Sequence, residues 1–265
     1  MNCTIWLWVG EIKNTMVKAI VFFYDISHHI LYGNGGRCVL GVLCWSQEQD
    51  VRLERAQLLG LPVLQVNLAS GGRWENRRLR RAARLLTRQG VRRVLVPQKF
   101  DGWQELSRGG LRGVDPVPLY RAMADHLILT ELGRRGVENE RACVVLRGEY
   151  VDADLERTAR QLCPKVRALI IQVEWGGERL ARELYRTFGA ALQPGGRPDA
   201  VARFSGQGQP GELVLCGQAE LLGLGLDMDG STLPEGLEAM PLLTALWQSG
   251  RLSLEELRVN TINFP

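Results

Sequence analysis

Apolar residues along the chain form short continuous runs, and amphipathic stretches separate these runs. The predicted strands span residues 62–66, 91–96, 142–146 and 166–173, with shorter strands at 200–204 and 212–216. The longer runs do not alternate apolar with polar positions, which is typical of strands in a parallel sheet covered on both faces.

The amphipathic stretches between the strands predict helices. These helices span residues 47–59, 74–89, 118–135, 153–162, 177–188, 239–249 and 254–258. Gly60 and Gly90 follow two of them, at the position where a left-handed residue commonly ends a helix. Ser253 and Glu256 form a capping-box pattern for the last one. Helices of crossover length between successive strands favour parallel pairing.

The beginning of the chain predicts an antiparallel hairpin. Residues 18–24 and 37–44 are rich in β-forming residues, and the Asn34-Gly35 pair between them tolerates the positive φ angles of a tight turn. Residues 1–15 fit no repeat of the chain, and the first strand pattern starts just after Met16. We therefore expect translation to begin at Met16, with residues 1–15 an artefact of start-site assignment or a loose arm.

Together these patterns predict an α/β fold with one or more Rossmann-like, three-layer parallel sheets, an N-terminal β-hairpin and C-terminal helices. We expect two α/β units, one at residues 1–116 and one at 117–265. The predicted helix at 118–135 belongs to the second unit and bridges the two.

Composition narrows the class of protein. The chain has 265 residues, of which 45% are hydrophobic and 23% charged, values typical of globular proteins. No apolar run is long enough to span a bilayer, and no signal-peptide pattern is present, so we expect no membrane contact. The six cysteines are scattered and form no C-x-x-C pair, which favours buried thiols in the reducing cytoplasm over disulfides or a zinc site.

The basic charge is concentrated in one element. The chain carries a net charge of +4, and only four of its 33 basic residues are lysines. Residues 71–93 contain nine arginines and one glutamate, a net charge of +8, so the rest of the chain sums to −4. The basic balance is therefore a property of the predicted helix at 74–89 and its surroundings.

This arginine-rich helix has two different faces. Leu79, Ala82, Ala83 and Leu86 form one apolar stripe. The cationic stripe consists of Arg77, Arg81, Arg84 and Arg88. Such a stripe could dock an acidic protein partner or another polyanion. Nucleic acid is the less favoured partner, because no aromatic residues interleave with the arginines to stack bases.

Two short motifs resemble motifs of known function, and neither assigns a reaction to the chain. The glycines of residues 206–211 match a dinucleotide-binding fingerprint, but a strand follows them where a helix is required, which predicts a hairpin loop. Residues 227–233 resemble the first motif of haloacid-dehalogenase-like phosphatases, whose two aspartates act as nucleophile and acid/base. Only 32 residues follow Leu233, and none is the lysine or aspartate which that family needs further on, so we expect an acidic surface loop.

Ligands of open α/β sheets bind beyond the carboxyl ends of the strands, and the loops there supply the candidate site. The loops begin at Asn67, Gln98, Arg147 and Glu174. The residues expected to contact an anion are Ser70, Gly71, Gly72 and Arg73, because backbone N–H groups at a helix start favour negative charge. Further polar contacts are expected from Lys99 and Asp101, and hydroxyl contacts or acid/base work from Glu149 and Glu174.

Two functional hypotheses of different classes follow. The first is a Rossmann-like enzyme or binder for a nucleotide or phosphorylated small molecule at these loops. The second is a non-catalytic interaction protein that docks an acidic partner on the helix at 74–89. No P-loop, zinc-binding spacing or other catalytic motif is present, so no metal or cofactor is assigned and catalysis is left open.

Overall fold

The computed structural model of the chain describes residues 32–33, 37–38, 40–46, 51–69, 71–72, 74–189, 197–228, 233–234 and 236–261. The expectations for residues 1–15 and for a strand at 18–24 lie outside these ranges, as do Ser70 and Arg73. Two short strands at the start of the described chain, β1 (Tyr32–Gly33) and β2 (Arg37–Cys38), pair antiparallel.

The first sheet contains five strands in the order β4-β5-β3-β6-β7. They are β3 (Leu40–Ser46), β4 (Arg52–Leu58), β5 (Leu61–Ala69), β6 (Arg93–Leu95) and β7 (Arg112–Gly113). All neighbours are parallel except β4 and β5, which are antiparallel. The predicted strands at 62–66 and 91–96 are confirmed as β5 and β6.

The predicted helix at 47–59 is wrong, because residues 52–58 form the strand β4. This strand pairs with β5, and Leu58 faces Leu61 across a two-residue turn. Both turn residues have positive φ, 48° at Leu59 and 76° at Gly60, as in the type I′ turns that join antiparallel strands. Gly60 therefore serves a hairpin instead of a helix end, and pairing with β5 outweighs the helix-like spacing of the apolar residues.

Two helices pack against one face of the first sheet, α1 (Glu75–Arg88) and α2 (Trp103–Arg108). The first confirms the predicted helix at 74–89, and its buried residues are the predicted apolar stripe, Leu79, Ala82, Ala83 and Leu86. They share a core with Val66 and Leu68 of β5. Each buried leucine contributes roughly 1.5–3 kcal/mol, so this apolar face holds the helix in place.

The second sheet contains four strands, all parallel, in the order β11-β10-β8-β9. They are β8 (Cys143–Tyr150), β9 (Ala168–Trp175), β10 (Ala200–Arg203) and β11 (Leu213–Val214). The strands predicted between residues 142 and 216 are thus confirmed. The loop containing residues 206–211 is not a hairpin as expected, because the strands that it joins, β10 and β11, run parallel.

Five further α-helices follow among the described residues. They are α3 (Val117–Ala122), α4 (Ala124–Arg134), α5 (Ala153–Leu162), α6 (Gly177–Phe188) and α7 (Ala239–Gln248). The single helix predicted at 118–135 is two helices, because Met123 (φ −98°, ψ 14°) leaves the helical range between them. Gly177 lets α6 approach β9, since a Cβ there would come within 2.8 Å of Val173.

The largest core contains side chains of both sheets. Leu40 and Val42 of β3 belong to it, together with Val144 and Leu146 of β8. Buried residues of α3 to α7 complete this core. The proposed boundary between residues 116 and 117 stays a prediction.

The C-terminal region adds an antiparallel pair, β12 (Leu224–Met228) and β13 (Leu257–Thr261). The helix predicted at 254–258 is a single 3-10 turn, Leu254–Glu256, which leads directly into β13. Its capping box is confirmed, because the Glu256 carboxylate accepts hydrogen bonds from the Ser253 backbone N–H (2.7 Å) and hydroxyl (2.8 Å).

The phosphatase-like motif begins on β12. Asp227 faces Arg258 of β13 and accepts a hydrogen bond from the Asn260 amide at 3.3 Å. Residues 229–232 of the motif lie outside the described residues.

The described chain is a mixed α/β fold with parallel sheets and helices. Within it, no helix combines the length and apolar character needed to cross a bilayer.

Candidate functional site

Three polar side chains stand in one row near the carboxyl end of the second sheet. Arg147 of β8 is in register with Gln172 of β9 on one side and with Arg203 of β10 on the other. Residues in register on neighbouring strands project from the same face of a sheet. That face is opposite the one on which Leu146 enters the main core. The sheet therefore brings two guanidinium groups side by side.

A buried carboxylate fixes the two arginines. Glu212, whose side chain is only 4% exposed, accepts hydrogen bonds from Arg203 Nε (2.6 Å) and Nη2 (3.3 Å) and from Arg147 Nη1. The backbone N–H of Gln209 donates to the same carboxylate at 3.2 Å. The loop between β10 and β11 carries both Gln209 and Glu212, so this loop closes over the row.

The charge of Glu212 is stabilised by these partners. Burial disfavours the carboxylate, but the hydrogen bonds from Arg203, from the Gln209 backbone and from Arg147 outweigh it, so the pKa of Glu212 lies below its ordinary value. The same interaction raises the pKa of Arg203. Arg147, Arg203 and Glu212 together therefore hold one net positive charge at neutral pH.

Both guanidinium groups keep N–H groups for a ligand. Arg147 donates from Nε to the Gln172 side chain (2.8 Å) and from Nη1 to the Gln209 side chain (3.3 Å). No described residue accepts from Nη2 of Arg147 or from Nη1 of Arg203. Both arginines line a solvent-open cavity of about 560 Å³, whose polar lining is Arg147, Gln172, Glu174, Arg203 and Gln209. We call this cavity the strand-end site.

The strand-end site suits a small molecule that carries an anionic group and a hydroxyl group. Guanidinium N–H groups bind phosphate or carboxylate oxygens in pairs. The amides of Gln172 and Gln209 can donate to or accept from a neutral polar group. Glu174 is exposed on the same wall and can accept a hydrogen bond from a hydroxyl or amine.

Glu149, the other acidic residue expected to take part, lies beside this site. Its backbone N–H donates to the Ser205 hydroxyl at 2.7 Å. Its carboxylate approaches Gly206, where an added Cβ would be 3.6 Å away. The structure thus places Glu149, near the end of β8, against the loop that leads from β10 toward Glu212.

The other candidates belong to the first sheet. Gly71 and Gly72 are exposed, with φ of 74° and 83°. Their carbonyl groups accept hydrogen bonds from α1, Gly71 from the Arg78 side chain and Gly72 from the Glu75 backbone N–H. Lys99 and Asp101 are exposed after β6. The sequence-based candidates are therefore divided between two sheets.

The groups that define the strand-end site were not among the candidate residues predicted from the sequence. Arg147 was expected only at the start of a strand-end loop, and Arg203 and Glu212 were not predicted. An arginine near the end of each of two predicted strands was the available signal. That β8 and β10 are neighbours, with β9 on the far side of β8, depends on strand order, which the sequence pattern does not contain.

A second charged cavity lies between α1 and α2. Its volume is about 620 Å³, and its charged lining is Arg80, Arg84, Arg88, Arg108 and Glu105. We call it the arginine groove. Arg84 and Arg88 belong to the predicted cationic stripe, whose four arginines are all exposed. Arg77, at the start of the stripe, places its guanidinium over the ring of Trp74 at 5.7 Å from the centroid.

A thiol beside the strand-end site is not activated. Cys216 contacts the Gly206 carbonyl at 3.5 Å, and burial raises the pKa of this thiol. A raised pKa keeps the group protonated at neutral pH and makes it a poor nucleophile. Within the described ranges, no group of three or more metal-ligating side chains comes together.

No protein-family model, no curated protein and no solved structure matches the chain.

Proposed function

We propose that the chain binds a nucleotide or another small phosphorylated molecule at the strand-end site. The observation that carries this proposal is the pairing of Arg147 with Arg203, side by side in register and fixed by a buried carboxylate. Arginines held in this way lose little conformational freedom when a ligand arrives, which favours binding.

The phosphate would lie between the two arginines. Nη2 of Arg147 and Nη1 of Arg203 are the donors that Glu212 leaves available, and both arginines line the cavity. Their single net positive charge matches a phosphate group better than a neutral ligand.

The hydroxyl-bearing part of the ligand would face Glu174. A carboxylate close to an anion site repels a second phosphate but accepts hydrogen bonds from sugar hydroxyls. This combination favours a sugar phosphate or a nucleotide over inorganic polyphosphate.

The architecture supports the same location. In parallel sheets, ligands bind beyond the carboxyl ends of the strands, and Arg147 and Arg203 lie near those ends. The proposal includes the predicted Rossmann-like, three-layer arrangement, which rests on an analogy between folds. We propose binding alone, since the arrangement of the site assigns no residue to a bond-breaking step.

A thermal-shift series tests the proposal. Nucleoside phosphates and sugar phosphates are compared with the same nucleosides and sugars without phosphate. A ligand at 100 times its Kd adds about 2.7 kcal/mol, which raises Tm by about 5 °C or more in a chain of this size. We expect this rise with a phosphorylated compound and none with its unphosphorylated counterpart.

Variants locate the effect. Arg147→Gln should abolish the rise, and Gln172→Ala, a change at an exposed side chain, should reduce it without disturbing the fold. Arg182→Gln, on the exposed face of α6, is the control and should keep it. The proposal fails if no phosphorylated compound raises Tm, or if the rise survives in both site variants.

A further inference from the structure

We infer that the arginine groove docks an acidic helical segment of a partner protein. This surface lies on the first sheet's helices and is separate from the strand-end site, so the inference is independent of the proposed function.

The groove contains more positive charge than the described chain neutralises. Arg80 and Arg108 share one carboxylate, Glu105, through contacts of Arg80 Nη2 (3.1 Å) and Arg108 Nη1 (2.9 Å) and a further one from Arg80 Nε. Arg84 and Arg88 have no carboxylate partner among the described residues. Four arginines and one glutamate leave a net charge of +3 along one short groove.

The anchored pair gives the groove a defined shape. Glu105 is buried, and its hydrogen bonds to Arg80 hold its pKa below the ordinary range in spite of the desolvation. It therefore stays charged and keeps Arg80 and Arg108 in place on the two walls. Arg84 and Arg88 are exposed beside them and free to reach a partner's carboxylates.

The spacing of these arginines fits a helix. Arg80, Arg84 and Arg88 are four residues apart on α1, which corresponds to a rise of about 6 Å per step. An acidic helix with carboxylates every fourth residue presents the same repeat along its side. The guanidinium groups of Arg84 and Arg88 can then each meet one carboxylate with two parallel hydrogen bonds, while Arg80 also holds Glu105.

The charge distribution favours such a segment over nucleic acid. Residues 71–93 carry a net charge of +8, whereas the rest of the chain carries −4, which disfavours a long phosphate backbone that extends past the groove. The exposed aromatic ring at the start of α1 is that of Trp74, and the Arg77 guanidinium already lies over it. Base stacking on that ring face would first have to displace this arginine.

The test uses the full chain and a fluorescein-labelled, alanine-based peptide with glutamate at every fourth position. Binding is followed by fluorescence anisotropy at low and at high salt. Because exposed charge pairs are weak and screened by salt, we expect measurable affinity at low salt and a steep loss at high salt. The same peptide with its central alanine replaced by proline should bind much less, since it cannot present the helical repeat.

Matched double variants assign the site. Arg84→Gln with Arg88→Gln should weaken peptide binding about tenfold. Arg182→Gln with Arg186→Gln removes two exposed arginines at the same spacing from α6 and should leave the affinity unchanged. The groove double variant should also keep any nucleotide-induced rise in Tm, which separates this inference from the proposed function.

Three outcomes would overturn the inference. The peptide fails to bind at low salt, the two double variants lose affinity equally, or a single-stranded DNA 20-mer binds more tightly than the peptide and loses its affinity in the groove variant. The third result would assign the groove to nucleic acid.

Discussion

The two arginine clusters of this protein differ in how completely the protein itself neutralises them. At the strand-end site, Arg147 and Arg203 are 26% and 15% exposed and close on a buried glutamate. In the arginine groove, Arg80 and Arg108 are 53% and 58% exposed, and Arg84 and Arg88 have no described carboxylate partner. The first cluster has a fixed geometry with little excess charge, whereas the second has excess charge on exposed side chains that no described carboxylate holds.

The two proposals assign these clusters to two kinds of recognition. Fixed donors in a cavity select a small ligand by shape and by hydrogen-bond direction. Charges on the exposed face of a helix attract a larger acidic surface, weakly and with a strong dependence on salt. Density of arginine along the chain therefore identifies the second kind of surface and overlooks the first.

The largest expected effect is at the apolar face of α1. Leu86 is fully buried, and its side chain would lie 3.1 Å from a Cβ added at Gly41 of β3. Leu86→Ala should lower the free energy of unfolding by about 3 kcal/mol, from lost burial and the cavity that remains. Arg81→Gln, one face away, should change it by less than about 0.5 kcal/mol. Urea unfolding of both variants measures the contrast, and equal effects would mean that the arginine face also holds the helix.

The next effect separates the two anchoring glutamates. Glu212→Gln should lower the free energy of unfolding by about 2 kcal/mol at pH 7, because it leaves Arg147 and Arg203 without their buried carboxylate. Glu105→Gln should lower it by less, since the arginines that bind Glu105 are half exposed and water replaces the lost partner. Chemical unfolding in parallel gives the order, and the reverse order would contradict the comparison of the clusters.

The contribution of Glu212 should also depend on pH. The pKa of Glu212 is lowered in the folded protein, so its stabilisation is complete above the unfolded value of about 4.3 and is lost as the pH falls through the folded value. The difference in stability between the wild type and Glu212→Gln should therefore be constant from pH 7 to 5 and shrink below about pH 4. A difference that stays constant down to pH 3 would assign the effect of the substitution to packing.

The smallest effect tests the hairpin at the edge of the first sheet. Leu59 has φ 48° in the turn before Gly60, a conformation that asparagine adopts more readily than leucine. Leu59→Asn should raise the free energy of unfolding by about 0.5 kcal/mol and leave both arginine clusters unchanged. Destabilisation in urea unfolding would argue against the turn between β4 and β5.

The sequence pattern predicted most elements and little of their arrangement. Long apolar runs gave the strands β5, β8 and β9, and the stripe from Leu79 to Leu86 gave the buried face of α1. The helix predicted at 47–59 was wrong because β4 is stabilised by pairing with β5, and a local sequence pattern does not contain that pairing. The parallel pairing of β10 with β11 depends in the same way on residues distant in the sequence.

The candidate site was predictable only in part. The rule that ligands bind at strand ends directed attention to the loops that begin at Arg147 and Glu174, and Glu174 does line the cavity there. It could not unite Arg147 with Arg203 and Glu212, because these residues meet only through strand order and through a loop that folds back. Gly71 and Gly72 were expected to contact an anion from their local sequence, and in the structure their carbonyl groups accept hydrogen bonds from α1.

Mapping of a bound ligand tests the central claim most directly. A nucleoside diphosphate is titrated into the ¹⁵N-labelled chain, and the shifts of the backbone and side-chain amide signals are followed. The strand-end site predicts the largest changes at Gly148, Gln172 and Gln209, with little change at Arg84 and Arg88. Changes centred on α1 and α2, or no saturable change at the ends of β8, β9 and β10, would contradict the assignment of this site.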